Sequence, residues 1–242
     1  MIDFGACLSF GWERLKNNPV FYLVAMVLFG IFCAAISFAA QVIQLVVMLL
    51  FAVAAEGAGA GDEAKQLIVL ASLPFSLFIS IILGSPAAPL LVGFFRGVKR
   101  EYDGGQAEIS EIFSGFSSLI PSFVAYAVSV VIVFLGGICC LVPGLLLSPI
   151  IAISMCHIAD DGSCGAWEAV ARSFATLRKE PTIILWGIVL GVLGAMGALL
   201  CAVGLLVTIP LSMAAFYAVY RQVEDGGGKP GATMDTISET TA

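Results

Sequence analysis

Between Pro181 and Tyr220, forty consecutive residues carry no charged side chain. As one helix, at about 1.5 Å per residue, that stretch would be about 60 Å long. A bilayer offers a hydrocarbon core of about 30 Å. A single helix would also leave Arg178 and Lys179 on one side of it and Arg221 on the other. Two spanning helices that turn back fit instead. The midpoint puts the turn near Cys201 to Gly204, with both basic ends facing the same side.

The composition generalises this reading. The chain is 60% hydrophobic and 12% charged, with a mean hydropathy of +1.05, whereas soluble domains are about 25% charged. Only helices or closed barrels satisfy every backbone group in lipid. The apolar runs are continuous, without the period-two alternation of barrel strands. An all-α polytopic membrane protein is therefore expected, and no nucleic-acid partner.

The same pattern recurs upstream. Pro121 to Ile158 is uncharged with His157 neutral, and its midpoint reads CCLVPGLLLSP (Cys139 to Pro149) against LCAVGLLVTIP (Leu200 to Pro210). PLLVGFFRGVKR from Pro89 resembles PLSMAAFYAVYR from Pro210. Three hairpin units follow, at about 19–100, 121–158 and 181–221, which form a weak internal repeat. Each has a preface that ends in Pro: SFGWERLKNNP, EIFSGFSSLIP and VARSFATLRKEP. Pro suits the first turn of a helix, where its missing N–H is not needed. Trp12, Phe113, Phe116, Trp167 and Phe174 are placed to dip into the headgroup region. The expected plan is a short cytoplasmic interfacial amphipathic helix followed by a spanning hairpin, three times over. The alternative for the prefaces is plain loop.

Orientation follows from the cations. With the N-terminus in the cytoplasm, Arg14, Lys16, Arg96, Lys99, Arg100, Arg172, Arg178, Lys179, Arg221 and Lys229 all lie inside and only Lys65 outside. That is a strong positive-inside bias. The run after Pro19 is too long for the apolar region of a cleaved signal peptide. The loop around Glu56, Asp62 and Glu63 is acidic and glycine-rich. The first hairpin is oversized: Pro19 to Ala55 is uncharged and holds Gln41 and Gln44. Its excess reads either as an extension beyond the membrane or as an outer interfacial helix. Ser85 to Pro89 is expected to break or kink the second helix. Residues 1–225 form one helical transmembrane domain, and 226–242 read as a disordered cytoplasmic tail.

FGWERLKNNP, PLLVGFFRGVKREYDGGQAEISEIFSGF, VPGLLLSPIIAISMCHIADDGSCGAWEAVARSF and GLLVTIPLSMAAFYAVY together resemble a broad group of bacterial six-helix integral membrane proteins. The group includes the membrane domain attached to some glycerophosphoryl diester phosphodiesterases. The resemblance spans about residues 5 to 223 and rests on helix-boundary motifs. It implies a six-helix fold and a bacterial inner-membrane location. It does not carry over the hydrolase activity, which belongs to a separate soluble barrel in those proteins.

Catalytic signatures are scarce. The predicted membrane cores hold no charge of the kind that marks proton relays or ion paths. There is no zincin motif, phosphate-binding loop or nucleophile elbow; GFSSL has Leu119 where a second Gly would stand. The candidate constellation is CHIADDGSC, with Cys156, His157, Asp160, Asp161 and Cys164. Cys, His and carboxylate are zinc ligands, but the spacing matches no standard site, and a helix exit with a capped turn is the preferred reading. No cofactor and no metal are expected. The seven cysteines are scattered and read mainly as small apolar fillers; Cys139 or Cys140 could meet Cys201, since both turns are expected to face the external side, where disulfides form.

Gly187, Gly191, Gly194 and Gly197 give one helix a small face for close packing, within the chain or between copies. Pro89, Pro149 and Pro210 stand at matching depths on three return helices, where kinks can line a cavity. Ser85, Ser148, Thr208 and Ser212 are the polar groups near them, able to contact a lipid or solute or to satisfy freed carbonyls. Arg14, Lys16, Arg96, Lys99, Arg100, Arg172, Arg178 and Lys179 are candidates for contact with anionic phospholipid headgroups. The preferred function is a non-enzymatic scaffold or accessory subunit in membrane or envelope homeostasis, with an unidentified membrane partner or as a homo-oligomer. The alternative is a transporter or lipid-handling protein with a cavity among the Pro-kinked helices. A third possibility, an intramembrane enzyme, lacks a catalytic dyad.

Overall fold

The computed structural model describes residues 2–57, 79, 81, 84–197 and 201–226. Among them the chain is helical throughout its ordered elements. In order these are α1 (Phe4–Asn17), α2 (Pro19–Gly57), α3 (Ala88–Tyr102), α4 (Ile109–Ser114), α5 (Leu119–Cys139), α6 (Leu141–Leu147), α7 (Pro149–Asp160), α8 (Ala166–Lys179), α9 (Thr182–Met196) and α10 (Cys201–Glu224). Short 3-10 turns at Ser85–Ala87 and Gly115–Ser118 precede α3 and α5.

Among the described residues, four stretches are long and apolar enough to cross a bilayer: Pro19–Val53, Ile109–Cys139, Val142–Asp160 and Gly204–Glu224. A fifth arises if α8 and α9, bent by 105° at Glu180–Pro181, count as one. The long uncharged stretch holds two helices, α9 and α10. α9 runs to Met196 and α10 packs against it, but Cys201–Gly204, the expected turn, is already helical within α10. Upstream, Cys140 is extended, with φ −169° and ψ 146°; α6 and α7 then pack on α5.

The three prefaces are helical. α1 carries an N-cap from Asp3, whose carboxylate accepts from the amide of Ala6 at 3.0 Å. Trp12, Phe113, Phe116 and Trp167 are exposed, while Phe174 packs against the core. The core gathers at this preface end: Phe21, Tyr22, Phe94, Phe95, Tyr217 and Tyr220 are all buried. The outer part of α2 is the opposite, with Phe38 72% and Leu45 70% exposed. At 39 residues α2 is about 58 Å long, so the first apolar run continues as one helix to Gly57. Residues 58–78, with Asp62, Glu63 and Lys65, lie outside the described residues, as do 80, 82, 83 and the tail from 227 onward.

The three prolines occupy two kinds of position. Pro89 and Pro149 sit in the first turns of new helical segments, α3 and α7, because a ring without an N–H costs no bond there. Pro210 lies inside unbroken α10.

Candidate functional site

α7 ends at Asp160, and four other groups converge on that residue. Tyr217 donates to Oδ1 at 2.5 Å, Tyr220 to Oδ2 at 3.2 Å and Arg221 to Oδ2 at 3.0 Å. Lys99 caps the main-chain carbonyl of Asp160 at 2.7 Å, and its Nζ stands 3.9 Å from Oδ1. The spacing explains the convergence. Tyr217, Tyr220 and Arg221 are three and four residues apart, so they share one face of α10. A cation at the end of α7 also complements the partial negative charge of its terminal carbonyls. The Asp160 side chain is only 14% exposed, and its paired, hydrogen-bonded state is what permits a carboxylate there. The guanidinium of Arg221 reaches Asp225 at 3.4 Å on its other side.

One turn back on α7 is His157, the single histidine. Its Nδ1 is 3.1 Å from Tyr220 Oη and its Nε2 is 3.1 Å from Thr176 Oγ1. Thr176 in turn donates to Glu224 Oε1 at 2.7 Å. An Nε2–H imidazole fits: it donates to Thr176, whose own proton goes to Glu224. Tyr220 then has one proton for two acceptors, Nδ1 and Asp160. The network joins α7, α8 and α10 from the inside.

The next residue, Asp161, leaves the network and behaves as the sequence reading expects. Its Oδ1 accepts from the amide of Ser163 at 3.0 Å and from the Ser163 hydroxyl at 2.6 Å. Those bonds hold its carboxyl below the usual aspartate range. Arg172 adds a contact at 3.5 Å and bridges to Glu168. Among the described residues no group of three His, Cys, Asp or Glu side chains can hold a metal ion. Asp160 was legible in the sequence only as part of a turn; its role as the tie between helices was not, because its partners lie on α3 and α10.

These residues line a polar cleft of about 390 Å³, bounded by α7, α8 and α10, with Arg172, Lys179, Arg221, Asp160, Asp161 and Glu224 as its charged wall. A second, apolar groove of about 360 Å³ lies among α6–α7, α9 and α10. Ser148, Pro149, Gly187, Gly191 and Gly194 line it, with Ile209 opposite. Pro89, Thr208 and Pro210 are not on its wall. The hydroxyls near it are spent on helix carbonyls: Ser148 on Leu145 at 2.8 Å, and Thr208 on Gly194 at 2.9 Å and Gly204 at 3.0 Å. A Cβ on Gly197 would stand 2.1 Å from Thr208 Oγ1, and one on Gly187 2.9 Å from Pro149 Cγ, while at Gly191 it would meet nothing within 4 Å. Three of the four glycines thus abut α7 or α10, and Gly191 opens on space.

The remaining cations divide into two kinds. Arg96 donates to Ser114 O, Ser117 Oγ and Ser118 Oγ at 2.6–2.9 Å, pinning the chain before α5 to α3. Arg100 pairs with Glu111 and Glu108. Arg14 lies over Phe10 and Lys16 over Trp12, each 5.2 Å from the ring centre. Arg178 is exposed, and Lys179 donates to the main-chain oxygen of Glu224 at 3.1 Å. A second buried carboxylate, Glu101, accepts from Tyr22 at 2.6 Å and Asn18 at 3.0 Å; sequence reading missed it because a Glu two residues past Lys99 reads as helix-end surface. Cys139 and Cys140 are free thiols, and the side chain of Cys201 lies outside the described residues.

No family model matches the chain, and no solved structure does either. Relatives are found among mycobacterial proteins. The uncharacterized protein Rv2560 of Mycobacterium tuberculosis is 25% identical over 230 residues, covering 92% of this chain and 69% of its own. The uncharacterized protein Mb2590 of Mycobacterium bovis matches to the same extent.

Proposed function

We propose that this chain is a six-helix integral protein of the bacterial inner membrane, with both termini in the cytoplasm, that works by binding rather than by catalysis. It is a scaffold or accessory subunit in membrane or envelope homeostasis. Three spanning hairpins, each led by an interfacial helix, make up the fold, as in the membrane proteins its boundary motifs resemble. The observation that carries this reading is the state of Asp160. Both its oxygens and its carbonyl are occupied by Tyr217, Tyr220, Arg221 and Lys99, so this acid of the polar cleft is committed to joining helices. Anionic lipids at the basic face add about 1 kcal/mol per exposed cation. Native mass spectrometry of the protein released gently from its own membrane tests the reading. A protein partner at fixed stoichiometry supports it; a chain that never carries a partner or a second copy overturns it.

A second reading, lipid handling, is favoured by the apolar groove beside Gly191. It predicts a retained lipid in the same spectra.

A further inference from the structure

The polar cleft and the apolar groove follow one stripe of α10. Ile209, Ser212 and Phe216 line the groove; Tyr220 and Glu224, the next residues at four-residue spacing, line the cleft. On α7, Pro149 and Ala152 line the groove and His157 and Asp160 the cleft. From Tyr220 to Ile209 is about 16 Å along the helix, about half of a 30 Å hydrocarbon core. A headgroup held at Tyr220 would therefore send a chain down one leaflet's depth, to the level where Gly191 opens on space.

The cleft also states which headgroup fits. Its wall carries three cations, Arg172, Lys179 and Arg221, and three carboxylates, Asp160, Asp161 and Glu224. Among the described residues Lys179 has no carboxylate partner, its Nζ bonding only the Glu224 main chain. Glu224 receives Thr176 at Oε1 and has no donor at Oε2 among the described residues. A net-negative headgroup would meet three acids, whereas a group carrying one phosphate and one N–H-bearing ammonium satisfies both free valences. We propose that cleft and groove together bind one zwitterionic membrane phospholipid: phosphate toward Lys179 and Arg172, primary ammonium toward Glu224, acyl chain past Gly191. The proposal rests on the lipid-handling reading and gives it a site and a headgroup class.

The test is native mass spectrometry of the purified full chain in detergent, titrated separately with phosphatidylethanolamine, phosphatidylcholine and phosphatidylglycerol. The expected result is preferential retention of phosphatidylethanolamine. Lys179→Gln and Glu224→Gln should each weaken it about tenfold, as expected for loss of one charge-assisted contact. Gly191→Leu, which fills open space, should reduce retention of every lipid. Melting temperatures close to wild type show that the variants fold. Equal retention of the three lipids, with sensitivity to Gly191→Leu alone, overturns the headgroup assignment and leaves the lipid-handling reading standing. Retention of no lipid by the wild type overturns both.

Discussion

The hydroxyl of Tyr217 on α10 donates to Oδ1 of Asp160 on α7 at 2.5 Å, while Arg221, one turn further along α10, holds Oδ2 at 3.0 Å. One carboxylate thereby fixes the register of two helices. Replacing Asp160 by Ala leaves Arg221, only 24% exposed, with Asp225 alone and takes the shared acceptor from Tyr217 and Tyr220, and should cost about 3 kcal/mol, the low end for breaking a buried pair. Tyr217→Phe removes one hydrogen bond to a charged group and should cost about 1.5 kcal/mol. Unfolding midpoints in detergent compare the two. Equal losses would mean that the ion pair adds nothing beyond the tyrosine.

The tightest helix approach involves glycines outside the predicted face. A Cβ on Gly115 would lie 1.8 Å from the carbonyl oxygen of Pro89, and one on Gly93 2.0 Å from that of Ile112. Both obstacles are backbone, so the helices must part. Gly93→Ala and Gly115→Ala should each cost about 3 kcal/mol or more, by overpacking, and lower the yield of folded protein. Gly137→Ala, with nothing within 4 Å, should be silent. Size-exclusion profiles of the three variants decide it; a monodisperse Gly115→Ala with the wild-type melting temperature would contradict the structure.

Thiol chemistry reads both burial and orientation. Burial, aided by the charge of Asp3, pushes the Cys7 thiol up to about 12, and the thiolate is the reactive form. At pH 8 Cys7 should resist maleimide until the protein is unfolded. Cys139 and Cys140 are exposed and in the proposed orientation face the outside. A membrane-impermeant maleimide should therefore label single-cysteine versions at 139 or 140 in intact spheroplasts. Labelling only after lysis would invert the topology.

The acid limb of stability has a local contributor. The Asp161 carboxyl sits below its ordinary value of 3.8 because Ser163 donates to it twice. A depressed folded value contributes stability that is complete above the ordinary value and is lost as the pH falls through the depressed one. Wild type should therefore lose more stability than Asp161→Asn between pH 5 and the region below 3.8. Parallel melting curves for the two would show that the turn bonds are not formed in solution.

How far the sequence carries can be seen at individual residues. The turn at Asp161 and Ser163 is local chemistry, two residues apart, and was readable as such. The prefaces before Pro19 and Pro181 were readable as helices because amphipathic periodicity and proline at a helix start are local signals. The role of Asp160 was not readable: its donors come from 57 and 61 positions away on α10. Glu101 was hidden for the same reason, since Tyr22 and Asn18 reach it across 79 and 83 positions.

The sequence by itself determined that the chain is helical and rich in apolar stretches long enough to cross a membrane, since this follows from composition and spacing along a single segment. Tertiary structure alone decided that Pro89 and Pro149 open new segments, that Gly191 faces a groove while Gly187, Gly194 and Gly197 abut neighbouring helices, and that Asp160, His157, Glu224 and Lys179 meet in one cleft. Such meetings depend on which faces of separate helices turn toward each other, and side-chain periodicity within one helix does not specify its neighbour.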